Sequence, residues 1–152
     1  MMIRKRIIGL TSGLALAMAI VMAGLPVAQA GYAYGNWKNF TVNGSDFACQ
    51  SYIYTTTGHA SAVQRIQRDN GVMYSGWGGN LAVLYKNNAA FLAIGIEYNP
   101  SNFVKGGSYY TSAATTAQSG IGWHSEGICY GWSSATSTYT TAYSPKSPSQ
   151  NS

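Results

Sequence analysis

From residue 31 to the C-terminus no segment places apolar residues three and four apart over three turns. Short runs of β-branched and aromatic residues instead alternate with polar ones, punctuated by Asn and Gly. A helix needs the first pattern to bury a stripe, and a half-buried strand needs the second. The chain is therefore predicted to be all-β. Asn36 to Val42 reads as a strand, Asn43-Gly44 as a two-residue turn that tolerates positive φ, and Asp46 to Thr57 as the returning strand. Within that strand Phe47, Cys49, Ser51 and Ile53 share one face, the side predicted to meet the core.

Ala60 to Arg68 alternates less cleanly and fits a strand better than a short helix, and Asp69-Asn70-Gly71 then turns the chain. A second hairpin runs from Asn80 to Lys86, turns at Asn87-Asn88 and returns from Ala89 to Tyr98, where Asn99-Pro100 stops it. Residues Ser101 to Gly120 form either a long loop or a polar edge strand around Ser108 to Thr116. Gly122 to Trp132 and Ala135 to Tyr143 supply the last runs. About seven strands with closely spaced turns predict an antiparallel β-sandwich or small barrel, one domain over residues 31–143. The remainder, residues 144–152, has two prolines and no large apolar residue and is predicted to be a flexible tail.

Residues 1–30 carry Arg4, Lys5 and Arg6, an apolar run from Ile7 to Val27, and Ala-Gln-Ala before position 31. That order is the export signal, with cleavage expected after Ala30 and a secreted, extracellular product without a membrane span. Removing it takes three of nine cations, leaving six against four carboxylates, a net of about +2 instead of +5. Six scattered cations do not make the dense basic face that nucleic-acid backbone requires, so no nucleic-acid partner is expected. Export also frames Cys49 and Cys129, the two cysteines of the chain. An even pair without CxxC spacing predicts a structural disulfide, with two buried free thiols as the alternative. Trp123 on the face of Cys129 resembles the indole that packs on a disulfide in sandwich domains. No metal or cofactor is expected, because neither cysteine is spaced as a ligand pair with His59 or His124.

The stretch GWHSEGICYGW at 122–132 puts His124 and Glu126 on one strand face and Trp123, Ser125, Gly127 and Cys129 on the other. His124 and Glu126 have the composition of a base and its orienting carboxylate, with Ser51 or Ser133 as candidate nucleophile. No Gly-x-Ser-x-Gly elbow accompanies them. Side by side on a solvent face they need no catalytic explanation, and no catalytic residue is assigned. The aromatic surplus is more informative. Tyr32, Tyr34 and Trp37 open the exported chain, and Trp77 sits among glycines that offer it nothing to pack on. These four are the predicted binding surface, since flat rings give large contact area at little entropic cost.

With its export signal, NFTVNGSDF hairpin, SGWGGNLAVLY segment and terminal YSPKSPSQN, the chain resembles uncharacterised small secreted proteins of Gram-positive bacteria. It is loosely similar to lactococcin-972-type bacteriocins, from which it departs in its cysteine pair and in having only His59 and His124 as histidines. The resemblance implies an exported β-sandwich and transfers no functional residue. The leading expectation is a secreted, non-enzymatic module binding a cell-wall glycan, an envelope component or a protein partner. A bacteriocin-like toxin acting on competitor envelopes and a small secreted hydrolase are the alternatives.

Overall fold

The computed structural model describes residues 31–152. The export signal read over residues 1–30 lies outside the described residues. No helix occurs among the described residues, and the strands are β1 (Gly31–Tyr34), β2 (Lys38–Val42), β3 (Ser45–Thr56), β4 (His59–Arg68), β5 (Gly78–Lys86), β6 (Ala89–Ala93), β7 (Glu97–Tyr98), β8 (Ser108–Thr116), β9 (Gly122–Ser133), β10 (Thr138–Ser144) and β11 (Gln150–Asn151). The first sheet runs β1-β3-β4-β8 with β2 also on β3; the second runs β10-β9-β5-β6 with β11 on β9 and β7 on β5. Every pairing is antiparallel. The two sheets pack on each other in a sandwich-like arrangement.

There are more strands than the seven expected, for local reasons. The predicted strand Asn36 to Val42 is β2, shorter by two residues at its start, and β1 precedes it as a strand that was not expected. Between the two, Gly35 lets the Pro145 carbonyl come within 2.7 Å of where a Cβ would stand. The strand expected over Ala89 to Tyr98 splits into β6 and β7. Asn43-Gly44 and Asn87-Asn88 do make the turns, with φ of 45° and 78° in the first pair and 48° and 65° in the second. Ala60 to Arg68 is a strand, and the polar stretch around Ser108 to Thr116 is the edge strand β8 rather than a loop.

The tail is not loose. Ser147 donates its backbone N–H to Ser125 O at 3.0 Å and accepts the Ser125 N–H on its hydroxyl at 2.9 Å, and β11 then pairs Gln150 with Trp123. β10 covers β9 only from Gly127 onward, so the first half of β9 offers free backbone groups, and buried backbone donors and acceptors must find partners. The tail supplies them. It also ties the seam to the first sheet, with Ser51 Oγ donating to Pro145 O and Thr55 Oγ1 to Asn151 O.

Two apolar clusters fill the interior. One gathers Ile53, Leu84 and Trp123 with Ala60, Ala62, Ala82 and Ala113; the other gathers Val42, Phe47, Cys49, Ile66, Met73 and Cys129. Fully buried side chains such as Ile53, Leu84, Phe47 and Ile66 each contribute about 1.5–3 kcal/mol of transfer free energy. A polar row crosses between the clusters. Ser51, Gln64 and Thr111 stand in register on β3, β4 and β8, opposite the Gly127–Ser144 pair of the other sheet. Gln64 Oε1 accepts the Ser144 hydroxyl at 3.0 Å. Position 127 must be glycine: a Cβ there would lie 2.4 Å from Leu81 O and 2.5 Å from Gln64 Oε1.

The row also explains two corrections. Cys49 and Cys129 do face each other across the sheets, yet both are buried free thiols and the predicted disulfide is not formed. Gln64 Nε2 lies beside the pair and donates to both sulfurs, at 3.3 Å and 2.9 Å, so their polar capacity is met without a bond. Trp123 shares a face with Cys129 but belongs to the other cluster, six residues or about 20 Å away along the strand. Its indole N–H donates instead to Ser152 Oγ at 3.0 Å.

Candidate functional site

The outward face of the first sheet follows from strand parity plus register. β1 presents Tyr32 and Tyr34, β3 presents Gln50, Tyr52 and Tyr54, and the register sets Tyr32 opposite Tyr54 and Tyr34 opposite Tyr52. Directly opposed residues on one face sit close enough for rings to touch. Centroids are 4.5 Å apart for Tyr32–Tyr54, 4.9 Å for Tyr34–Tyr52, 5.9 Å for Tyr32–Tyr52 and 6.0 Å for Tyr32–Tyr34. Four phenols thus form one continuous platform. Tyr32 is 57% and Tyr34 51% exposed, so it is open to solvent.

Across β4 the surface drops. Ser61 and Val63 stand beside Tyr54 and Tyr52, and Ser112 stands beside Val63, while Tyr110 rises again on β8. Small side chains between tall rings leave an open groove of about 280 Å³. Arg65 stands opposite Tyr110 in the same row as Gln50. Its Nε donates to Gln50 Oε1 at 2.7 Å and a second guanidinium N–H bonds the same oxygen. Trp37 lies against the guanidinium, 4.2 Å from carbon to ring centroid, with Tyr34 at 5.9 Å. Burial first, then the neighbouring phenols Tyr110 and Tyr34, push the Tyr52 hydroxyl above its ordinary pKa, and Arg65 opposes them. Tyr52 is therefore a neutral donor and acceptor throughout the physiological range.

Of the four predicted binding residues, Tyr32, Tyr34 and Trp37 come together here and Trp77 does not. Trp77 is half-buried at the edge of the second cluster, edge-on to Tyr74 at 4.9 Å and 5.2 Å from the Arg68 guanidinium. Its glycine neighbours do not leave it unsupported, because it packs against the buried cluster that holds Ile66 and Met73. Tyr52, Tyr54, Tyr110 and Arg65 adjoin the three and were not among the four predicted residues. Alternation along β3 already set Tyr52 and Tyr54 on the outward face, but only pairing shows what they stand beside.

His124 and Glu126 are in contact, Nε2 to Oε1 3.3 Å, but His124 is not a solvent-face residue: it is 2% exposed. Tyr85 stacks on the imidazole at 4.7 Å. Burial and then Lys146 pull its pKa below the ordinary range, while Glu126 pulls the other way. Neither proposed nucleophile serves it. Ser51 Oγ is bonded to Pro145 O, and Ser133 is nine residues, roughly 30 Å, further along β9.

The second sheet also carries outward aromatics, with Tyr98 and Trp132 each packed on Tyr139, at 4.9 Å and 4.8 Å. These rings serve the fold. Tyr98 covers Gly79, its ring carbons 2.7 Å from the absent Cβ, and the Tyr139 hydroxyl donates to Gly76 O at 2.5 Å. Among the described residues no group of three or more His, Cys, Asp or Glu is placed to hold a metal ion, and no helix is long and apolar enough to cross a membrane. The chain matches no protein-family model, no curated protein and no solved structure.

Proposed function

We propose that this chain is an exported, non-enzymatic binding module that takes a cell-surface glycan on the tyrosine platform of its first sheet. The observation that carries the reading is the contiguous set Tyr32, Tyr34, Tyr52 and Tyr54 beside an open groove. Pyranose rings bury their C–H faces against aromatic rings, and the surrounding hydroxyls of Tyr, Ser and Gln exchange hydrogen bonds with sugar hydroxyls. Tyrosine provides both kinds of contact on a side chain with little rotamer freedom to lose. The groove lies below the roughly 300–1,000 Å³ of enclosed small-molecule pockets and is open. That shape suits a polymer lying across the surface better than an engulfed metabolite.

The test is retention of the purified protein on peptidoglycan and on a panel of insoluble neutral and acidic glycans. Binding to at least one is expected, with a loss of about tenfold or more in the Tyr34→Ala/Tyr52→Ala double variant, both rings being central contacts. Retention on none of them, or retention the double variant leaves intact, overturns the proposal.

A further inference from the structure

We infer that the glycan is acidic, and that Arg65 at the end of the tyrosine groove binds its anionic group. The inference rests on the platform reading and narrows its ligand. Arg65 is the one permanently cationic side chain at the outward positions of β1, β3, β4 and β8. No carboxylate among the described residues pairs with it. Asp46, at the start of β3, bonds Thr41 and Asn70, and Asp69, just past β4, accepts from Gln67.

What holds Arg65 is neutral. Gln50 Oε1 takes two of its N–H groups, and Gln50 is itself fixed by donating Nε2 to Gly35 O at 2.6 Å. A guanidinium has five N–H donors, so three remain, and their charge is undiminished by any partner. Trp37 lies against the fork, its ring centroid 4.2 Å from the guanidinium carbon, and shields it from water on that side. An oriented, half-buried guanidinium without a counter-ion is suited to a charge-assisted, two-pronged bond with a carboxylate or phosphate oxygen pair. A neutral sugar leaves those donors to water. A nucleic acid asks for several such cations in a row, and besides Arg65 only Lys146 among the described residues borders the platform, beyond Tyr34 and with its Nζ bonded to Asn88. The chemistry that fits is a polymer whose stacking sugars carry an occasional anion, either a uronate carboxylate or a phosphodiester.

The experiment titrates the purified protein with a polyuronate and with the same polymer after reduction of its carboxyls to alcohols, at low and high salt. A phosphodiester-linked wall polymer is run alongside to distinguish the two anions. About tenfold tighter binding of an acidic polymer than of the reduced one is expected, narrowing at high salt. Arg65→Gln should remove the preference and Arg65→Lys, which keeps charge without the fork, should retain part of it; thermal melts verify that each variant folds. Affinity for the polyuronate and for the phosphodiester polymer that is no greater than for the reduced polymer overturns the inference while leaving the platform reading standing, and needs no variant at all. An acidic preference that survives in folded Arg65→Gln also overturns it. Binding to no polymer of any kind removes both proposals.

Discussion

Gln64 is fully buried on the inner face of β4, and its amide spans three partners: the sulfurs of Cys49 and Cys129 through Nε2 and the Ser144 hydroxyl through Oε1. A buried amide left unbonded costs about 1–3 kcal/mol, so the pair of thiols and the glutamine stabilise each other's burial. Burial and the adjoining Cys49 hold the Cys129 thiol well above its ordinary pKa, which keeps it protonated and unreactive. Native protein should accordingly resist maleimide labelling and take up two labels only in denaturant, read by intact mass. Rapid native labelling, or a mass two hydrogens below the reduced chain, would contradict the thiol assignment. His124 supplies a pH dependence with a definite sign. Its folded pKa lies below the unfolded value near 6.5, so the unfolded chain binds the extra proton first and stability falls as pH drops below about 6.5. Melting temperature should be flat above that pH and decline as the pH falls below it, with the decline blunted in His124→Gln. The same slope in that variant would assign it to another group.

At the scale of elements, residues 145–152 decide more than their composition suggests. They pair the half of β9 that β10 leaves open, bury Ser147 and Ser152, and carry Lys146 across to Asn88, where its Nζ donates to Oδ1 at 2.8 Å. Truncation after Ser144 should cost about 2–4 kcal/mol in chemical denaturation, the sum expected for several buried hydrogen bonds lost together. Trp123, freed of Ser152, should shift its emission to the red. A truncated chain as stable as the full one would show that the seam closes without the tail. Sequence reading missed this because prolines and serines mark a segment poor in its own apolar contacts. Here the stabilisation is borrowed from vacant backbone groups on β9, which no property of residues 145–152 reveals.

For the whole molecule, the division between the legible and the illegible follows the range of the interactions. Side-chain parity along a strand and positive φ at Asn43-Gly44 or Asn87-Asn88 are local properties of backbone geometry, so the all-β class, two hairpins and the inward set Phe47, Cys49, Ser51 and Ile53 could be read directly. Tyr32, Tyr34 and Trp37 could be singled out as candidates because they crowd residues 32–37. Which strand lies beside which is not local. The sequence by itself determined that Tyr52 and Tyr54 share a face and that Cys49 and Cys129 point inward. Only the tertiary structure set β1 beside β3 to complete the platform, placed Arg65 at the end of its groove, moved Trp77 elsewhere and slid Gln64 alongside the two thiols. The reason is physical: alternation fixes direction within a strand at every second residue, whereas register is chosen by the packing of both sheets at once.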